Sequence, residues 1–478
     1  MYEHNTEAGC AASIRHLHEA HTEGAPHAQQ PAVALRAPRC VADTGLPPML
    51  VSQLVLKSTL LNGKSSVGDL IRRHCLTATV LDETIGFLVR EHLVEIASRG
   101  ATDFDVHLRL TDAGRTLAAA EAARCAYCGP APVSLDSYME VVRAYSVRRI
   151  RITQPDVRAA FAGIVVDASL LDSAAAALNA GRPLMLYGPA GSGKTFLAEC
   201  LGRLLTGAVP VPYAIHVGGE IILLHDPLVH HDAHGEPSPD LTDRRWRACK
   251  RPVVTSGGEL TLEMLDLQYN PNGGTYQAPP HMKATMGLYV IDDLGRQRVA
   301  PADLLNRWLM PLDRGVDQFT LRSGARFLAP FDVWPVFSSN LTPAEFNDDA
   351  FMRRLGSKLH VGALCVDDYR RVFDAKCASL QLEADAGAFD YLLHELHLPT
   401  GTPFLACYPN DLLAVLRSFA LYHSDARIVT QHGLARAWRS YFGSGSVITR
   451  HPDQVCQPSR PGFSQPPLEQ SKEHRHEK

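Results

Sequence analysis

A short apolar run, Leu184-Met185-Leu186-Tyr187, leads directly into Gly188-Pro189-Ala190-Gly191-Ser192-Gly193-Lys194-Thr195. A glycine-rich loop ending in Gly-Lys-Thr needs a strand before it and a helix after it. Only then do successive backbone N–H groups turn inward while the helix N-terminus adds partial positive charge beneath an anion. Leu197, Leu201, Leu204 and Leu205 follow at helical spacing and supply the apolar face of that helix. The chain is therefore constrained to an α/β fold around a P-loop. In that loop Gly188, Pro189, Ala190, Gly191, Ser192, Gly193, Lys194, Thr195 and Phe196 are the expected phosphate-binding residues. Lys194 places a cation at the β and γ oxygens of a nucleoside triphosphate, and Thr195 offers its hydroxyl to Mg²⁺.

A P-loop alone does not distinguish kinase, transporter or motor, so the downstream carboxylates carry the next step. Gly287-Leu288-Tyr289-Val290-Ile291-Asp292-Asp293 predicts an apolar strand with two acids at its C-terminal end, where open α/β sheets place their chemistry. This is a Walker B pattern: Asp292 is the expected Mg²⁺ ligand and Asp293 the group that orients the attacking water. Further on, Val336-Phe337-Ser338-Ser339-Asn340 predicts another apolar strand ending in an amide. Asn340 can reach the γ-phosphate or the lytic water, although Asn also ends strands for turn reasons.

The formal net charge of −4 over 478 residues gives no overall attraction to polyanions, so any nucleic-acid contact needs a local patch. No run of eighteen apolar residues occurs and the start lacks a secretory pattern, which predicts a cytoplasmic protein. Eleven scattered cysteines fit reduced thiols better than a disulfide framework. Cys125 and Cys128 have zinc-knuckle spacing but no second pair at a suitable distance. His225, Asp226, His230, His231, Asp232 and His234 read as a surface loop before a metal cluster. Arg244, Arg245, Arg247, Lys250 and Arg251 around Trp246 read equally as a nucleic-acid or partner patch and as a subunit interface.

Residues 1–43 are expected to be disordered. Residues 44–125 read as three helices followed by a β-hairpin, a winged-helix pattern whose presumptive recognition helix carries Asp82, Glu83 and Glu91 against Arg90. Residues 126–150 read as a connector, 151–360 as the nucleotide-binding core, 361–445 as a helical lid and 446–478 as a disordered tail.

In order and spacing the chain resembles an AAA+ ATPase, with Asn340 as sensor 1 and a C-terminal helical lid. It resembles in particular a bacterial group with an N-terminal winged-helix-like domain, through stretches such as Asp243-Arg244-Arg245-Trp246 and Ile291-Asp292-Asp293-Leu294-Gly295-Arg296-Gln297. The resemblance implies ATP and Mg²⁺ as ligands, ATP hydrolysis, a homo-oligomeric ring (a hexamer), a macromolecular client, and an arginine completing the neighbouring subunit's site. Arg353 and Arg354 occupy the matching place after sensor 1, and a helix aims such adjacent side chains about 100° apart. Tyr269 to Pro280 is similar to the inserted hairpin of MoxR-type and enhancer-binding members. Two departures bear on turnover: Asp293 stands where most members have Glu, and Asn410 stands where the group's sensor 2 arginine is expected, with Arg417 two helical turns along as a substitute. A second reading, a winged-helix DNA-binding regulator in which ATP sets oligomeric state with little hydrolysis, differs in its use of residues 44–125.

Overall fold

The computed structural model describes residues 35–443 apart from 101, 234–240, 347 and 424–426. The disorder expected for residues 1–34 and for the tail from 444, as well as His234, lie outside the described residues. The chain divides into two compact units, one running to Val372 and including Leu405–Cys407, the other comprising Phe373–Phe404 and the chain from Tyr408 onward.

Five parallel strands build the centre of the first unit: β1 Leu184–Tyr187, β2 Val253–Ser256, β3 Leu288–Ile291, β4 Trp334–Ser339 and β5 Ser357–His360, in the order β2-β3-β4-β1-β5. Their sequences are near-continuous apolar runs because both faces of the sheet are covered. On one face Leu184, Leu186, Val290 and Val336 pack with Leu197, Leu201 and Leu204 of the segment after the P-loop. On the other, Met185, Tyr289, Ile291 and Phe337 pack with Leu304, Leu305 and Trp308 of the helix Pro301–Arg314. The register aligns Ile291 with Phe337 and Ser339 with Tyr187, so the carboxyl ends of β3, β4 and β1 finish side by side. The paired acids, Asn340 and the P-loop must therefore meet.

The N-terminal part of this unit contains helices Pro48–Asn62, Val67–His74 and Ala78–Arg90 and an antiparallel sheet of Ser65–Ser66, His107–Leu110 and Val94–Ser98. Its core is Leu54, Val55, Leu70, Val80, Leu81, Leu88 and Leu108. Capping fixes two of these helices: Ser66 accepts from the amide of Asp69, and Thr77 from that of Val80.

Two expectations from the sequence are corrected here. Residues 35–43 are not disordered: Val41 is buried in the N-terminal core, its N–H donating to Glu83, and Leu35 bridges to Leu241. Nor are residues 126–150 a connector. Val133–Ser134 is a strand parallel to Ala214–Val217, and Leu135–Ala144 is a helix that buries Tyr138, Val141 and Val142 completely. Gly129-Pro130-Ala131-Pro132 suggested a loop, but the helix that follows it is driven by tertiary burial, which local punctuation does not report. The strand Val133–Ser134 edges a second sheet that continues through 214–217, 220–223 and 275–277 to 268–270, the last two forming the hairpin expected near Tyr269.

The second unit is helical. Phe389, Leu392, Leu412, Leu413, Leu416, Leu434 and Trp438 are buried, and the His397 ring lies edge-on to Trp438 at 4.8 Å. Among the described residues no helix is long and apolar enough to cross a membrane.

Candidate active site

The P-loop leaves β1 through backbone geometry that side chains disfavour. Gly188 has φ +147°, and a Cβ there would stand 2.2 Å from the Val361 carbonyl; Gly191, at φ +83°, would meet the Cys407 thiol at 2.5 Å. The helix Lys194–Cys200 then begins directly behind the loop. Among the described residues the amides of Gly191, Gly193, Lys194, Thr195 and Phe196 donate to no acceptor, the condition for a phosphate cradle at a helix N-terminus. Ser192 Oγ is buried and likewise without a partner. The side chain of Phe196 is 56% exposed, so its contribution to the cradle is its N–H.

Lys194 is the hub of the site. Its Nζ donates to the carbonyls of Gly188 (3.0 Å) and Pro189 (2.9 Å) and to Asn340 Oδ1 (2.8 Å). Asn340 Nδ2 in turn donates to Asp293 Oδ1 at 3.1 Å. One amide side chain thus ties Lys194 to Asp293, and its two bonds fix which end faces which partner. Burial lowers the Lys194 pKa; the Asp293 and Asp292 carboxylates work against that, Arg296 adds to it, and the net lies below the ordinary lysine value.

Thr195 Oγ1 donates to Asp292 Oδ2 at 2.8 Å, while Asp292 Oδ1 is buried with no hydrogen-bond partner among the described residues. An orphaned carboxylate oxygen beside a hydroxyl fits a hard divalent cation such as Mg²⁺, which takes one or two carboxylates and completes its shell with phosphate and water oxygens. No group of three or more His, Cys, Asp or Glu side chains that could hold a metal ion occurs among the described residues.

Asp293 has φ +50°, in the left-handed region that Asp tolerates better than most residues. The kink is braced on several sides. The Asp292 N–H donates to Ser256 O and the Leu294 N–H to Ser338 O, both at 2.8 Å. Gln297, itself buried, accepts from the Gly295 N–H and donates to the Asp292 carbonyl. The turn aims Asp293 sideways at Asn340 instead of onward along β3. Nothing in the sequence pointed to Gln297, because its role depends on a turn type that the residues Leu294-Gly295-Arg296 do not specify alone.

The two arginines after sensor 1 separate. Arg354 is held by Asp313, Nε and Nη2 each donating at 2.6 Å, and by the Ala350 carbonyl. Arg353 is exposed and has no carboxylate partner among the described residues. Asn410 and Arg417, the residues in question for sensor 2, are both exposed on the helix Cys407–His423 of the second unit.

Other sequence candidates are structural. Trp246 is buried; Arg245, also buried, forms an ion pair with Asp243 and donates to the carbonyls of Thr44 and Pro132; Arg247 pairs with Asp232; and Arg251 donates to the carbonyls of Thr206, Tyr145 and Met286. The basic run read equally as a nucleic-acid or partner patch and as a subunit interface is therefore largely spent inside the fold, with Arg244 and Lys250 exposed. His230 is buried between the Asp226 amide and the Lys283 carbonyl and is not a solvated loop residue.

A parallel five-stranded sheet carries the P-loop sequence on β1, the paired acids at the end of β3 and the amide at the end of β4, the order of motifs that the AAA+ resemblance implies. Within the chain, residues 365–440 match a family described as a domain of unknown function (DUF8689). Comparison with curated proteins finds no match. Among solved structures, the chain is similar to the RuvB Holliday junction branch migration motor of Thermotoga maritima, at 13% identity over 63% of this chain and 74% of that one, with a TM-score of 0.33. It is also similar to NtrX of Brucella abortus in complex with ATP, at 17% identity over 57% of this chain and 58% of that one, with a TM-score of 0.37.

Proposed function

We propose that this protein is an AAA+ ATPase that binds Mg-ATP through the P-loop and couples nucleotide binding and hydrolysis to conformational change in a macromolecular client or assembly. The observation that carries this reading is the linked set Lys194–Asn340–Asp293 beside Thr195–Asp292. In it the loop amides and Lys194 grip the triphosphate, Asn340 holds the terminal phosphate and the water in register, and Asp293 orients that water for in-line attack. Asp292 and Thr195 would hold Mg²⁺, which would supply charge neutralisation at the phosphate oxygens. Arg353, the cation of the pair left without a carboxylate, is the one assigned to a neighbouring subunit's site in a homo-oligomeric ring. Residues 361–445 act as the lid, and the protein works in the cytoplasm.

The helix–strand–helix–helix–hairpin order of residues 48–110 supports a winged-helix-like domain. Exposed Asp82 and Glu83 on its third helix disfavour approach to phosphates, so the domain is assigned to protein contact rather than DNA. Salt-sensitive, submicromolar binding of duplex DNA by the full chain would favour the regulator reading instead.

The test of the main reading is calorimetry with Mg-ATP on wild type and Lys194→Ala. Wild type is expected to bind, and at 100-fold excess over Kd to gain about 2.7 kcal/mol of stability, while the variant loses both. A well-folded wild type that gives no heat with ATP or ADP sinks the reading.

A further inference from the structure

We infer that Ser339 and Gln297 are positioning residues for the hydrolytic step, together holding the Asp293 carboxylate against the Asn340 amide through the backbone that flanks them. The inference rests on the proposed ATP hydrolysis and deepens it by naming two side chains, outside the motif positions already assigned, that set the geometry of the water-orienting pair.

Asp293 stands at φ +50° and its Oδ1 accepts from Asn340 Nδ2 at 3.1 Å, so this contact depends on the turns after β3 and β4 keeping their places relative to each other. Ser339 Oγ joins the two turns. Fully buried, it donates to the Leu294 carbonyl at 2.7 Å and accepts from the Leu341 N–H at 3.0 Å, so one hydroxyl touches the residue after Asp293 and the residue after Asn340. Gln297, also buried, closes the other side of the first turn, its Nε2 donating to the Asp292 carbonyl and its Oε1 accepting from the Gly295 N–H, both at 2.8 Å. With the Arg296 N–H on the Asp293 carbonyl, the consecutive carbonyls of Asp292, Asp293 and Leu294 are all bonded, two of them by these side chains. Gly295, at φ +98°, comes so close to the second turn that a Cβ there would stand 2.8 Å from Leu341 Cδ1. A residue other than glycine in left-handed backbone is kept there by its surroundings, and relaxes when the bonds around it are removed. The strand itself is held separately, the Asp292 N–H on Ser256 and the Leu294 N–H on Ser338. Removing the Ser339 hydroxyl or the Gln297 amide therefore loosens the aim of Asp293 and leaves β3 and the P-loop where they are.

The experiment measures single-turnover phosphate release at saturating Mg-ATP, and ADP affinity by calorimetry, for wild type, Ser339→Ala and Gln297→Met, each variant also combined with Asn340→Ala. Each single variant is expected to slow release by roughly tenfold, the worth of one hydrogen bond, and to keep ADP affinity within about twofold of wild type. On the Asn340→Ala background the same substitutions should slow release by less than about twofold more, because the pair they align is already broken and changes acting on one contact do not add. A residue that only supports the fold would not show that dependence on Asn340. An unchanged rate in a variant that binds ADP removes that residue from the assignment, and full additivity with Asn340→Ala overturns it for both. Should one variant fail to bind ADP, the other decides; loss of ADP binding in both overturns the assignment, since the brace then serves the fold alone. The hydrolysis reading fails separately, on a wild type that binds nucleotide and releases no phosphate.

Discussion

At the scale of single residues, the site is organised by one neutral side chain. Asn340 accepts from Lys194 and donates to Asp293, so it holds two groups that belong to different motifs and makes the position of each depend on the other. Replacing it by alanine releases both. Asn340→Ala is expected to lower single-turnover phosphate release by roughly tenfold to a hundredfold, the value of one hydrogen bond to a charged group, while ADP affinity stays near wild type. Rapid-quench measurement at saturating ATP checks this, and an unchanged rate would remove Asn340 from the chemistry. Asp293 invites a different comparison. At φ +50° a short carboxylate sits where longer side chains are disfavoured, which gives a backbone reason for Asp in a place where most AAA+ proteins have Glu.

At the scale of elements, helices and strands are pinned by buried polar groups whose titration links fold stability to pH. His74, at the end of the helix Val67–His74, bonds Ser58 Oγ and the Gly129 carbonyl, both at 2.9 Å. Burial brings its pKa down to about 4, and burial does the same to His230 and His397. A histidine whose folded pKa lies below its ordinary 6.5 stays neutral in the fold while the unfolded chain takes up a proton. Its contribution is complete above pH 6.5 and is lost as pH falls from 6.5 to about 4, at roughly 1.4 kcal/mol per pH unit for each group. The melting temperature should therefore decline steadily across that window, and His74→Gln should reduce the part belonging to the first unit, with His230 keeping its own share. A flat profile from pH 7 to 4.5 would mean these rings are protonated in the fold. A related lock joins Asp317 to His281 and Arg307 between the hairpin strand Val316–Thr320 and its neighbours. Burial would raise the Asp317 carboxyl, but the bonds from His281 and Arg307 outweigh it and hold it below its ordinary value.

At the scale of the whole molecule, the proposed sharing of a site between subunits turns on Arg353 and Arg354. Arg354 is committed to Asp313 on its own chain, so the proposal assigns Arg353 to a neighbour. Arg353→Ala is expected to abolish most ATP turnover without changing the melting temperature. Arg354→Ala should instead cost about 0.5–1 kcal/mol of stability, the worth of a half-exposed ion pair. Mixing Arg353→Ala with Lys194→Ala chains should restore activity, since intact P-loops then face intact arginines. No recovery on mixing, or activity strictly proportional to protein concentration with a monomeric mass throughout, would exclude a shared site.

What the sequence determined by itself is the set of contiguous motifs: the loop Gly188–Thr195, the acids Asp292 and Asp293 at a strand end, and Asn340 at another. These were legible because each proposed role falls on neighbouring residues of the types and spacing that phosphate and metal chemistry requires. The tertiary structure alone decided how they are joined and which other residues belong with them. The Lys194–Asn340 and Thr195–Asp292 bonds span 146 and 97 residues of chain, and they exist only because β3, β4 and β1 lie adjacent with their ends in register. The same holds for the basic run around Trp246, whose charge suggested a surface until Asp243, Asp232 and backbone carbonyls claimed most of it. It holds too for Arg353 and Arg354, identical in side chain and separated by what the fold brings within reach. Local sequence sets what a side chain is able to bind, and strand order sets what it meets.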